Sequence, residues 1–190
     1  MATTEIYNII ADSFASSPPV MPTEVYSHCM VKWSTGNKVY MIGGIKAPAF
    51  FQAGTSILDI GTQTFSTLSD QLTVPRARAK CAIMEPEGKL VAAGGTTTGW
   101  GWTRSVEVLD LNAGVWSDAA VIPVTGDYTT VTMEGYTYLL ADNGFFYHYD
   151  SANDQWDLVT EVNPFGTVPS NGDSLVAIDA RAALVCQDVV

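Results

Sequence analysis

The feature that most limits how this chain can fold is a recurrence. Asn8, Asp59, Asp110 and Asp150 each stand six residues before a ring, namely Phe14, Phe65, Trp116 and Trp156. Asn8 to Asp59 and Asp59 to Asp110 are both steps of 51 residues, and Asp110 to Asp150 is a step of 40. A second landmark keeps time with the first. VYMIGG ends at Gly43-Gly44 and LVAAGG at Gly94-Gly95, again 51 apart. In the third unit, YLLADNG (138–144) has Ala-Asp-Asn-Gly where a diglycine is expected. A fixed period of this length predicts a supersecondary unit that cannot bury its own faces and must stack on its neighbours.

Each unit reads as four strands. In the second, AKCAIM (79–84) is strand a, the turn PEGK (86–89) follows, and LVAAGG (90–95) is strand b. The loop TTTGWGWTR (96–104) leads to strand c, SVEVLDL (105–111). A turn at NAGV precedes strand d, WSDAAV (116–121). β-Branched and aromatic residues between Gly, Asn and Pro are the strand signature. No stretch has a sustained 3.6-residue apolar period, so no long helix is expected. The glycines let the chain bend and pack closely. The acid accepts hydrogen bonds from the turn that it opens. The ring fills the space between one sheet and the next, so Phe14, Phe65, Trp116 and Trp156 are expected in the core.

Diglycine after a hydrophobic strand, then an acidic position, then an aromatic six residues later resembles the kelch repeat of β-propellers. The resemblance spans about residues 5–186. Phe14 and Phe65 in place of Trp, and Ala-Asp-Asn in place of the diglycine, depart from it. The sialidase-type Asp box has a shorter gap between acid and ring. The resemblance implies an all-β kelch-type propeller or propeller segment of about 16 strands, four blade equivalents in one domain over 1–190. The units are 4–22 (partial), 25–73, 76–122, 127–162 and 174–187 (partial). TEIYNI (4–9) matches strand c, the segment around ASSPPV matches strand d, and SLVAIDARAALVCQ (174–187) matches strands a and b with a turn at Asp179–Arg181. The two ends are complementary halves of one blade, and pairing them would remove exposed edges. Closure with four blades, self-association and membership of a longer propeller all remain open.

The 9 basic and 20 acidic residues give a formal charge of −11, which argues against nucleic-acid binding and weakly against anionic membranes. No apolar run reaches transmembrane length. MATTEIYNII lacks the basic start of a signal peptide, which tilts the compartment towards the cytoplasm. Cys29, Cys81 and Cys186 are three, far apart and without a CxxC pair, so they are expected to be buried thiols rather than a disulfide framework or a zinc site.

In a four-stranded meander the b–c and d–a connections share one face. The b–c loops IKAPAFFQAG (45–54) and TTTGWGWTR (96–104) carry Lys46, Phe50, Phe51, Trp100, Trp102 and Arg104. The d–a connection TVPRARAK (73–80) adds Arg76 and Arg78. Aromatics beside arginine make interface anchors, and arginine recognises carboxylate or phosphate bidentately. These eight residues are the candidate contacts for an acidic or phosphorylated peptide. The competing reading has Arg76 and Arg78 paired with nearby acids and the tryptophans folded over the blade.

Chemistry has little support. His28 and His148 cannot make a three-histidine zinc site and read as structural. GxSxG, P-loop and GxGxxG motifs are missing. The equivalent acids of successive units lie too far apart to share an ion. No catalytic residue, metal or cofactor is expected, and a protein or peptide partner is. The resemblance also implies an alternative, a propeller enzyme of the galactose-oxidase or carbohydrate-active type.

Overall fold

A computed structural model describes residues 4–15, 18–126, 128–133, 136–141, 144–160, 174–179 and 182–186. The Asp142-Asn143 pair, and the turn expected between Asp179 and Arg181, lie outside the described residues. β1 (Tyr7–Asn8) and β2 (Ser13–Phe14) form a hairpin. β3 (Cys29–Trp33) and β4 (Lys38–Ile42) follow. A small hairpin of β5 (Ile45–Lys46) and β6 (Phe50–Phe51) then precedes β7 (Thr55–Asp59) and β8 (Thr64–Thr67). The first four-stranded sheet has the order β3-β4-β7-β8. β9 (Lys80–Met84), β10 (Lys89–Ala93), β11 (Val106–Asp110) and β12 (Val115–Ala119) make the second. β13 (Tyr128–Met133), β14 (Tyr136–Ala141), β15 (Phe146–Asp150) and β16 (Gln155–Thr160) make the third, and β17 (Ser174–Asp179) pairs with β18 (Ala182–Cys186). Among the described residues all pairings are antiparallel, and none of the sheets closes on itself. The one helical element among the described residues is a single 3-10 turn at Glu85–Glu87, closed by Gly88 in the left-handed region.

The fold is all-β, and among the described residues it has sixteen strands apart from the β5–β6 hairpin. Strand d of the first partial unit is β2, Ser13–Phe14, rather than the proline-rich segment after it. Asn8 closes the turn early, its Oδ1 accepting from the N–H groups of Ile10 and Ala11 at 3.0 Å each.

The first strands of successive sheets adjoin: β3 lies against β9, β9 against β13 and β13 against β17. The second sheet is buried on both faces. Along β10, Leu90 and Ala92 join a core shared with Tyr40, Ile42 and Trp116, while Val91 and Ala93 join a core with Tyr128, Leu139 and Tyr147. A strand flanked by two cores needs apolar side chains on both faces, which is why LVAA is a continuous run rather than an alternation.

The repeated acids act alike. Asp59 Oδ1 accepts from Thr62 N–H at 2.8 Å. Asp110 Oδ1 accepts from Asn112 and Ala113 at 2.8 Å each, and Asp150 Oδ1 from Ala152 at 2.9 Å and Asn153 at 3.3 Å. The Asn153 side-chain amide also donates to Asp150 Oδ2 at 2.6 Å and is the largest influence on that carboxyl; together these bonds favour the charged form and hold all three carboxyls below their ordinary range.

The rings divide. The Trp116 indole N–H donates to Thr55 Oγ1 at 3.3 Å across to the first sheet. The Trp156 indole N–H donates to the Ala120 carbonyl at 2.9 Å, at the end of the second. Both fill the gap between neighbouring sheets. Phe65 is half-buried. Phe14 is a correction: it is 64% exposed, because its hairpin has only two short strands and the ring rests on Tyr7 rather than between two sheets.

The cysteines are also a correction. Cys29 of β3 and Cys81 of β9 form a disulfide between the first two sheets, with Cα atoms 6.0 Å apart. Adjoining first strands bring together two residues that are 52 apart in the chain.

Candidate functional site

The candidate surface starts from two repeated backbone frames. In the first sheet, Tyr26 N–H donates to the Ile45 carbonyl at 3.0 Å and Ile45 N–H returns to Tyr26 at 2.8 Å. In the second, Ala77 and Thr96 exchange the same bonds at 2.9 and 2.8 Å, 51 residues on. Beyond each frame the chain leaves for its b–c loop. Ile45, at 1% exposure, anchors the β5–β6 hairpin, which holds Lys46 exposed, Phe50 63% exposed and Phe51 half-buried.

The second loop is closed by Thr97 N–H donating to Gly101 O at 3.0 Å and Trp100 N–H to Thr97 O at 2.9 Å. Trp100 has φ +65, a left-handed conformation that non-glycine residues adopt at a cost, and its ring is 50% exposed. Trp102 is half-buried, opposite Thr96 in a β-bridge. The two loops touch. The rings of Phe51 and Trp100 meet edge-to-face with centroids 5.3 Å apart at 72°. One aromatic from each b–c loop therefore meets the other, and the two loops are joined at that contact.

Three cations stand on these loops and on the connection before β9. Lys46, Arg78 and Arg104 are exposed, and among the described residues none of them forms a salt bridge. Arg104 is steered from its stem, with Nε donating to the Ile122 carbonyl at 2.6 Å. Arg78 has φ +55, and its N–H donates to Ser27 O at 2.8 Å. Tyr26, 49% exposed and paired with Ile45, belongs to the same neighbourhood and was not anticipated. Its place, one turn before a first strand, is the signal that could have found it.

Arg76 is a correction. It is fully buried, and its guanidinium meets Glu107, also fully buried, at 2.5 Å. Its remaining donors reach Val74 O at 3.2 Å, Gly94 O at 3.1 Å, Ser105 O at 2.8 Å and Ser105 Oγ at 2.9 Å. Glu107 also accepts from Thr73 N–H at 2.6 Å and Val74 N–H at 3.2 Å. Burial pushes the Arg76 guanidinium below its ordinary value and Glu107 opposes that. A charge satisfied this fully has nothing left for a partner. The signal was the acid inside SVEVLD, a strand otherwise apolar.

Both histidines are half-buried, and His28 Nδ1 has no hydrogen-bond partner among the described residues. His148 packs its ring against Tyr136 and Tyr138 and faces Asp157 at 3.4 Å. Burial pushes His28 below its ordinary value. Among the described residues no group of three His, Cys, Asp or Glu side chains could hold a metal ion.

No protein-family model matches the chain, and no curated protein matches it.

Proposed function

We propose that the chain is a kelch-like propeller or propeller segment that serves as a scaffold for protein interaction. It presents the joined b–c loops to an acidic segment of a partner. Three features support the architecture: the 51-residue step, the first strands adjoining in chain order, and the indole wedges between sheets. The observation that carries the function is the Phe51–Trp100 contact. It joins the two loops that carry Lys46 and Arg104, and the connection that carries Arg78 is bridged to the second of them at Ala77–Thr96, on a chain of net charge −11. Such a surface offers rigid aromatic anchors and forked donors to a carboxylate or phosphate. The disulfide favours an oxidising compartment over the cytoplasm, since cytosolic thiols are kept reduced.

The test is a screen of acidic and phosphorylated peptides against the chain and two variants, Phe50→Ala/Trp100→Ala and Arg78→Glu/Arg104→Glu. All four positions are exposed, so a thermal melt should show both variants folded. Binding that weakens in both and falls with added salt supports the reading. Peptides captured equally by all three proteins would place the contact elsewhere.

A further inference from the structure

The 51-residue step shows a vacancy. The three backbone partners of Arg76, at Val74, Gly94 and Ser105, have counterparts at Thr23, Gly43 and Gly54, while the arginine position is Val25, the Glu107 position is Ser56 and the Ser105 hydroxyl has no equivalent. The backbone frame is kept. Gly94 N–H donates to Ser105 O at 2.9 Å, and Gly43 N–H donates to Gly54 O at 3.0 Å. Thr103 N–H donates to Gly95 O at 2.9 Å, and Gln52 N–H to Gly44 O at 2.9 Å. Gly94 and Gly43 share left-handed backbones, at φ +56 and +65. Where Arg76 fills the second sheet, the first has a cleft of about 50 Å³, lined among others by Thr23, Val25, Gly43, Gly54, Ser56 and Thr67. These six are the 51-residue counterparts of Val74, Arg76, Gly94, Ser105, Glu107 and Asp118.

We infer that this cleft binds a guanidinium group. Val74 O, Gly94 O and Ser105 O accept from a planar fork in the second sheet, and Thr23, Gly43 and Gly54 supply the carbonyls of the same backbone frame in the first. The volume is enough for roughly three or four waters, about the bulk of a four-atom planar head. Met41 and Val25 give apolar lining along which an alkyl stem can lie. Ser56 in place of a carboxylate makes the site weaker than the internal pair, and selective for a donor-rich cation by shape rather than by a single counter-charge. The inference does not depend on the aromatic surface, because none of Phe50, Phe51 or Trp100 lines the cleft.

The experiment is a titration of the intact chain, followed by calorimetry and chemical shifts, with methylguanidinium, with methylammonium and with a blocked Gly-Arg-Gly peptide. Methylguanidinium should bind at least about tenfold more tightly than methylammonium, the margin of one charged hydrogen bond. Binding of the peptide as well identifies an arginine side chain as the source, and binding of methylguanidinium alone identifies a small ligand. Ser56→Glu should tighten methylguanidinium by about tenfold on the same ground. Val25→Arg should fill the cleft from within and abolish binding. The inference is overturned if the native chain does not prefer methylguanidinium, if Ser56→Glu does not tighten it, or if a folded Val25→Arg still binds it. Should Val25→Arg fail to fold, the Ser56→Glu comparison decides alone.

Discussion

Arg76 and Glu107 meet at 2.5 Å with no solvent exposure on either side chain, and each also bonds to backbone that enters or leaves the second sheet. Glu107 receives the N–H groups of Thr73 and Val74, while Arg76 reaches back to Gly94 and Ser105. The pair thus ties the connection before β9 to the ends of β10 and β11. Removing one partner leaves a buried charge uncompensated. Arg76→Met and Glu107→Gln should each destabilise by about 3–5 kcal/mol in denaturant titrations. The double variant should lose clearly less than the sum of the two, since neither charge is then stranded. Additive losses would mean that the ion pair is not the tie.

The disulfide gives a second prediction. Unfolded under non-reducing conditions, the chain should titrate one thiol of its three, and all three after reduction. A crosslink spanning 52 residues removes loop-closure entropy worth about 4 kcal/mol in the chain-entropy account. Cys29→Ala/Cys81→Ala should therefore melt well below the oxidised protein and close to the reduced one. Three thiols before reduction would show that the bond does not form in solution.

Much of this fold was legible because each signal in it is local. A period of 51, strand-length apolar runs and turn residues place β9 to β12 within a residue or two. The turn bonds of Asp59, Asp110 and Asp150 follow from an acid opening a tight turn. What was missed depends on contacts between sheets. Cys29 and Cys81 are one residue out of step with the repeat, so only the way β3 adjoins β9 brings them together. Arg76 looked like a surface cation because its acid lies 31 residues away on another strand. Phe14 keeps the repeat spacing but not the burial, since position in a repeat predicts a core only where a neighbouring sheet covers it.

Glycine positions separate steric need from backbone preference. Gly94 and Gly99 both have positive φ, +56 and +89. A Cβ at Gly94 would lie 1.1 Å from the Tyr128 hydroxyl, whereas nothing comes within 4 Å of one at Gly99. Gly99→Ala should cost only the left-handed penalty, roughly 1–2 kcal/mol. Gly94→Ala should cost more, because Tyr128 is buried and its hydroxyl donates to Thr103 O at 3.1 Å and accepts from Gly95 N–H at 3.2 Å. Tyr128→Phe should relieve only part of that excess, since the ring carbon would still be 2.2 Å from the new methyl. Equal losses at the two glycines in thermal melts would contradict the close approach.

The turn carboxylates set an acid limit on stability. Hydrogen bonds from turn N–H groups, joined and led at Asp150 by the Asn153 side-chain amide, lower Asp59, Asp110 and Asp150 in the folded chain below the ordinary 3.8. A group depressed on folding contributes fully above its unfolded pKa and loses that contribution as pH falls through the folded value. Stability should therefore be level with respect to these groups above about pH 5 and decline below about pH 4. Asn8 shows how to isolate the effect. It makes the same turn with an uncharged oxygen, accepting from Ile10 and Ala11. Replacing Asp59, Asp110 and Asp150 by Asn should keep the turns, lower stability at neutral pH, where the carboxylates make the stronger bonds, and flatten the acid limb. Urea titrations from pH 3 to pH 7 on the native and triple-Asn chains would measure both. An acid limb equally steep in the two would assign it to other carboxylates, with Glu85 the first to examine, because it accepts from Ser34 and Thr35 of the neighbouring sheet and is itself held below its ordinary range.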